Sequence, residues 1–307
     1  MKREIITICG PTAVGKTEYS IETALEFNGE IVSCDSMQLY KHMDIGSAKP
    51  TKEEQALVPH HLIDCVDPKG NFTVFKYQQM AKAAIEDIFS RGKTPVITGG
   101  TGLYLNSLLY DMDFSAPPLA SRYRDILYKE AEEYGGEFIH NKLKELAPEV
   151  AERIHPNNIK KVVRALEAVY NGETIKDFST DPVKTNDYEV KLIGLTRDRA
   201  ELYDRINRRV DILVENGLFE EVEGLLRMGL GEKDISMKGI GYKEIIGYFN
   251  GEYSKEEAVD LVKKNTRHYA KRQLTWFRRY DEMKWFNLSE YISKEECLKE
   301  IFSWLKN

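Results

Sequence analysis

An α/β fold is predicted: a parallel-sheet core carrying a glycine-rich loop, interrupted by a mostly helical insertion. Three observations predict it. The apolar run EIITIC is followed at once by a glycine loop and a helical pattern. The first ~110 residues alternate short apolar runs with amphipathic stretches, as a parallel sheet demands. From about Pro117 the strand patterns stop and return only at Tyr188. In order, EIITIC is a buried strand and KTEYSIETALEF the helix after the loop. GEIVSCDS is a second strand, rich in β-branched and small residues. TVFKYQQMAKAAIEDIFSRG has helical periodicity and closes on Gly92 as a C-cap. TPVITGGTGLYLNSLLY is a strand that turns through glycines into a helix. The runs from SRYRDILYKE to NNIKKVVRALEAVYNGETIKDF are charged and helical. YEVKLIGLT then reads as a further strand, and the remainder is helical again. The layout is a core of residues 1–116 and 186–307 with an insertion over 117–185.

With 307 residues there is room for about two domains, and 42% hydrophobic with 31% charged residues is ordinary for a soluble globular chain. No run approaches the ~20 apolar residues of a membrane span, and the N-terminus lacks the apolar core of a signal peptide. Cys9, Cys34, Cys65 and Cys297 form no CxxC pair, which disfavours structural zinc and fits a reducing cytoplasm. The net charge of −6 argues against a nucleic-acid partner. A basic stretch from Lys263 to Lys284 keeps one open, because a local basic face is enough to engage phosphates.

GPTAVGKT, from Gly10 to Thr17, satisfies G-x-x-x-x-G-K-[ST] in its required setting, with a strand before and a helix after. The backbone of Gly10, Pro11, Thr12, Ala13, Val14 and Gly15 would cradle phosphate oxygens. Lys16 would add a mobile cation, and Thr17 a hydroxyl for magnesium. Taken with the sheet, this is a P-loop NTPase-like core. The motif does not say whether the phosphates belong to a nucleoside or to another group.

Asp35 follows the apolar EIVSC and should emerge at the carboxyl end of a strand beside the loop. It could hold magnesium through water, act as a general base, or cap a turn. Ser36 and Gln38 are polar groups able to reach a planar base edge. In ITGGTGLYL, Gly99 and Gly100 permit close backbone approach, and Thr101 can cap the next helix or offer its hydroxyl to a ligand.

GPTAVGKT, IVSCDSMQLYKHMDIGSAKP, PHHLID, ITGGTGLYL, RALEAVY, LYDRINRRVDILVENGLFEEV, KGIGYKE and KRQLTWFRR occur in order from Ile5 to Arg279. Together they resemble the tRNA dimethylallyltransferases (tRNA isopentenyltransferases). The resemblance implies transfer of a dimethylallyl group from dimethylallyl diphosphate to the N6 amine of the adenine 3′ to certain tRNA anticodons, with Mg2+ as cofactor. It implies Asp35 as the base, with Lys16, Thr17 and Thr101 at the reacting groups. Arg205 and Arg209 share a helical face that it places on the diphosphate, Arg205 foremost; the alternative is a solvated face pairing with Asp204 or Asp211. It implies tRNA contacts by Asp35, Ser36, Met37, Gln38 and Thr101, by Arg124, Lys160, Lys161 and Arg164 of the insertion, and by Arg272, Gln273 and Arg278. Trp276 and Phe277 are core aromatics or base-stacking ones.

The C-terminal ISKEECLKEIFSWLKN carries no Cys/His zinc module of the kind found in eukaryotic relatives, which points to the compact bacterial form. A cytoplasmic monomer is expected. The competing class is a small-molecule kinase or NTPase, which explains the loop and Asp35 but none of the later segments.

Overall fold

A computed structural model describes residues 3–112, 121–172 and 183–307. The chain folds as two compact units, Met1–Leu109 with Thr185–Asn307, and Tyr110–Lys184. The expected start of the insertion at Pro117 and the end of its last helical run, ETIKDF, lie outside the described residues.

The first unit is built on six parallel strands in the order β3-β2-β4-β1-β5-β6. Along the chain these are β1 (Glu4–Cys9), β2 (Gly29–Ser33), β3 (His60–His61), β4 (Thr94–Gly99), β5 (Glu189–Thr196) and β6 (Lys284–Asn287). The helices between them are α1 (Lys16–Glu26), α2 (Lys52–Leu57), α3 (Val74–Ser90) and α4 (Gly102–Leu109). Helices α5 (Ser121–Tyr134), α6 (Gly136–Leu146), α7 (Pro148–Ala151) and α8 (Ile159–Tyr170) make up the second unit. After β5 come α9 (Arg199–Glu215), α10 (Leu218–Arg227), α11 (Tyr242–Phe249) and α12 (Lys255–Phe277). Helix α13 (Lys294–Leu305) closes the chain.

Sequence periodicity explains where the core lies. Ile6 and Ile8 of β1, Ile31 of β2, Val96 of β4 and Ile193 and Leu195 of β5 are all fully buried, as strands covered on both faces require. Tyr19, Ile21 and Ala24 of α1, Ile206 of α9 and Ile301 of α13 pack into the same cluster. A second cluster joins Tyr40 and Met43 to α10 and α11. The second unit buries its own set, including Leu127, Ile139, Leu143, Val162 and Leu166, so it has a core of its own.

One detail differs from the sequence reading. β2 does not lie beside β1, because β4 is hydrogen-bonded between them. Asp35 is therefore one strand removed from the glycine loop, and the turn after β4 stands between the two.

Candidate active site

Because every strand runs the same way, the turns after β1, β2 and β4 meet at one edge, where open α/β sheets bind ligands. Pairing of Cys9 with Gly99 and of Ser33 with Thr98 sets the three strand ends level. The loop and Asp35 thus share one cleft of about 1070 Å3 floored by these turns, and Thr101, bonded to Ser36 behind it, is not among the lining residues.

The loop is held open from behind. Ala13 sits in the left-handed region at φ 63°, which costs a non-glycine residue about 1–2 kcal/mol. Gly15, at φ 116°, takes a conformation that side chains rarely adopt. Arg205 Nε donates to the Ala13 carbonyl and Arg197 Nε to the Val14 carbonyl, each at 3.0 Å. Lys16 Nζ donates to the carbonyls of Gly10 and Pro11, at 3.0 and 2.8 Å. With these carbonyls engaged, the loop from Ala13 into the start of α1 is arranged as an anion cradle.

The expectation for Arg205 changes here. Its Nε braces the backbone of the loop, whereas Arg209, one turn further along α9, lines the cleft. Neither pairs with Asp204 or Asp211, which are taken by Arg208 and Lys263. Among the described residues Arg209 has no hydrogen-bond or ion-pair partner. Burial lowers its pKa, Asp35 opposes this, and Arg205 adds to it. Burial also pulls Lys16 down to about 8, again with Asp35 opposing. Two desolvated cations therefore face one carboxylate.

Asp35 Oδ1 accepts from Met37 N at 2.8 Å and Gln38 N at 3.4 Å, so it caps the turn after β2. Thr101 Oγ1 accepts from Ser36 N at 3.0 Å and donates to Ser36 Oγ at 3.3 Å, tying the β4 turn to the β2 turn. The Thr101 carbonyl accepts the first-turn amides of Tyr104 and Leu105. The Gln38 amide is engaged by Ser33 Oγ and the Ala48 carbonyl, and Met37 packs on Gly239. Thr17 lines the cleft. Ile206, Val210 and Leu213, spaced along one face of α9, add an apolar wall with Ile31 and Val262.

Gln273, expected at the RNA, makes its hydrogen bonds to the loop and the β4 turn. It is only 5% exposed. Its Oε1 accepts from Thr12 N and its Nε2 donates to the Gly100 carbonyl, both at 2.9 Å. Each end of the amide makes one hydrogen bond inside the protein, so Gln273 ties α12 to the loop and to the β4 turn where it borders the cleft. Gly100 is required there: a Cβ would stand 2.2 Å from Gln273 Nε2. Phe277 is fully buried in the core, whereas Trp276 is half-buried, packed against Gly102 with Arg279 over its ring. Arg272 lines the cleft beside Tyr269, while Arg278 is exposed at the end of α12. Within the second unit, Arg124 donates to Glu167 at 2.8 Å, and Lys160, Lys161 and Arg164 are exposed along α8.

Sequence reasoning missed Arg197, Tyr269 and Glu221. Burial and the Asp35 charge raise the Tyr269 phenol, which keeps it protonated where it lines the cleft. Glu221 accepts from the amides of Asp44, Ile45 and Gly46 at 2.7–2.9 Å and from the Tyr242 hydroxyl at 2.8 Å. It therefore anchors a segment of the cleft wall. Its only signal was a place in LFEEV, where a second glutamate reads as a solvated helix face.

A parallel sheet with a phosphate loop on its central strand, facing a carboxylate across a partly apolar cleft, defines a P-loop-type transferase. The chain belongs to the IPP transferase family, whose model matches residues 38–280. It is 55% identical to the tRNA dimethylallyltransferase of Alkaliphilus oremlandii, over 98% of both chains. It also matches the crystal structure of the full-length tRNA isopentenylpyrophosphate transferase from Bacillus halodurans. That match has 42% identity and a TM-score of 0.76, over 99% of this chain and 96% of the other. A eukaryotic dimethylallyltransferase captured acting on tRNA superposes with a TM-score of 0.84 at 27% identity, over 99% and 80% of the two chains.

Proposed function

We propose that the protein transfers the dimethylallyl group of dimethylallyl diphosphate to the N6 amine of the adenine 3′-adjacent to the anticodon of tRNAs. The products are N6-isopentenyladenosine and diphosphate. The observation that carries this reading is the meeting of anion cradle, apolar wall and carboxylate in one cleft. Relatives named tRNA dimethylallyltransferase, similar over nearly the whole chain, support it.

In the reaction, the bond between allylic C1 and the diphosphate oxygen breaks and the electron pair leaves with diphosphate. The cradle amides, Lys16 and Arg209 stabilise that developing charge because they are fixed beforehand in a desolvated site. Ile206, Val210 and Leu213 hold the prenyl chain with C1 toward the nucleophile. The N6 lone pair, poorly nucleophilic because it is delocalised into the ring, forms the new C1–N bond. Asp35 accepts the proton that N6 gives up. Thr101 and Ser36 hold the turn that aims it.

Magnesium fits the donor set. Thr17 lines the cleft, its hydroxyl makes no hydrogen bond to a described residue, and a diphosphate supplies the remaining oxygens. Held by the Thr17 hydroxyl, Mg2+ would neutralise diphosphate charge.

The target base lies in a folded anticodon stem-loop and must swing out to reach C1, at a cost of a few kcal/mol. Phosphate contacts by Arg124, Lys160, Lys161, Arg164, Arg272 and Arg278 offset that cost, and Ser36, Met37 and Gln38 line the base's path. tRNA is the macromolecular partner, the protein acts as a monomer, and its place is the cytoplasm. No helix among the described residues is long and apolar enough to cross a membrane.

Ligand-induced thermal shift tests the reading. Dimethylallyl diphosphate with magnesium is expected to raise Tm, while ATP has little effect. A kinase-like response, large with ATP and absent with the allylic diphosphate, contradicts it.

A further inference from the structure

We propose that Gln273 sets the number of phosphates the loop accepts, capping its far arm so that it holds a diphosphate and rejects a triphosphate. The inference rests on the prenyl-diphosphate reading above and deepens it.

The loop has two ends. Toward α1 the amides of Gly15, Lys16 and Thr17 sit at a helix N-terminus, where anions bind. The other arm, Gly10 to Thr12, would have to supply donors if a third phosphate extended the chain beyond that point. It has few to offer. Pro11 carries no N–H. Thr12 lines the cleft, and its N–H is taken by Gln273 Oε1 at 2.9 Å. Lys16 Nζ covers the carbonyls of Gly10 and Pro11.

The orientation of the Gln273 amide is fixed by its other end. Nε2 donates to the Gly100 carbonyl at 2.9 Å. Flipping the amide would set donor against donor at Thr12 and acceptor against acceptor at Gly100. The far arm therefore presents an acceptor oxygen, and an additional phosphate would meet it as repulsion. Gln273 is 5% exposed and is held at both ends, so moving the side chain aside breaks the bonds to Thr12 and Gly100 together.

The test is the binding of inorganic pyrophosphate and inorganic tripolyphosphate, each with magnesium, by calorimetry on the full chain. Charge alone favours tripolyphosphate. Gln273 reverses that order, so the wild-type protein is expected to bind pyrophosphate about tenfold more tightly. In Gln273→Ala, which frees the Thr12 N–H, the preference is expected to shrink to about threefold or less, through a gain in tripolyphosphate affinity. Gln273→Asn, too short to span both partners, provides a second variant should the alanine protein not fold. Wild-type binding of tripolyphosphate as tight as pyrophosphate, or an unchanged ratio in the folded variants, overturns the proposal. Prenyl transfer to tRNA, assayed on the same wild-type preparation, separates the two claims. A preserved pyrophosphate preference without prenyl transfer contradicts the function and leaves the cap standing.

Discussion

Asp35 caps a turn and is proposed as the base, and one substitution can separate the two. Its Oδ1 holds the amides of Met37 and Gln38, so Asp35→Ala removes the turn cap together with the proton acceptor. Asp35→Asn keeps a capping oxygen and loses the base. The asparagine variant is expected to bind tRNA and dimethylallyl diphosphate as the wild type does while turnover falls about 10²- to 10⁴-fold. Single-turnover kinetics beside equilibrium binding checks this, and near-normal turnover contradicts the assignment. Lys16 gives a pH dependence with a definite sign. Its pKa is lowered to about 8, so the free protein loses this cation as pH rises through 8, and pyrophosphate affinity should fall above that point. Stability of the unliganded fold runs the other way. Between about 8 and the ordinary lysine value the unfolded chain binds more protons, so Lys16 contributes a rise in stability with pH there. Calorimetric titration from about pH 7 to 9.5 reads the first effect, and Lys16→Met should abolish it. Cys9, pushed up to about 12 chiefly by burial, and the buried Cys34 are expected to resist alkylation in the folded protein.

At the scale of elements, long periodic segments were legible and contacts between distant ones were not. The strand–loop–helix at Glu4–Glu26 and the strand ending before Asp35 could be read because an apolar run, a glycine loop and a 3.6-residue period lie side by side. β3, two residues long, and β6, four residues long, carry too little pattern to be seen. The intervening position of β4 is a matter of pairing across more than sixty residues, on which local propensity is silent. The same holds for Gln273, 261 residues from Thr12, and for Glu221, 176 residues from Ile45. Both are polar residues on helices whose partners are backbone amides, so neither has a side-chain motif to give it away. Glu221 holds three amides of the 44–46 segment, and charge-assisted bonds of this kind contribute about 1.5–3 kcal/mol each. Glu221→Ala should lower Tm and strip hydrogen-exchange protection from Ile45 and Gly46 while leaving β1 and β4 protected. Unchanged exchange at those amides would show that the segment is held by other means.

At the scale of the whole molecule, the chain is acidic overall, at −6, and still carries exposed cations in each unit. The helical unit has its own buried core, so charge changes on its surface should leave its fold intact. Reversing Lys160, Lys161 and Arg164 to glutamate together is expected to weaken tRNA binding and to flatten its salt dependence. Each lost phosphate contact should reduce the slope of log K against log salt by about 0.7–0.9. Pyrophosphate binding should not change. An unaltered salt slope would remove this face from the RNA interface. The claim on which all of this depends is chemical: an anion cradle and a carboxylate in one cleft join an allylic carbon to an adenine amine in RNA. Incubation with unmodified tRNA, dimethylallyl diphosphate and magnesium, followed by nucleoside mass analysis, tests it most directly. The account predicts adenosine heavier by one dimethylallyl group in place of a hydrogen, with diphosphate released in equal amount. Unmodified adenosine with the allylic diphosphate intact would contradict it.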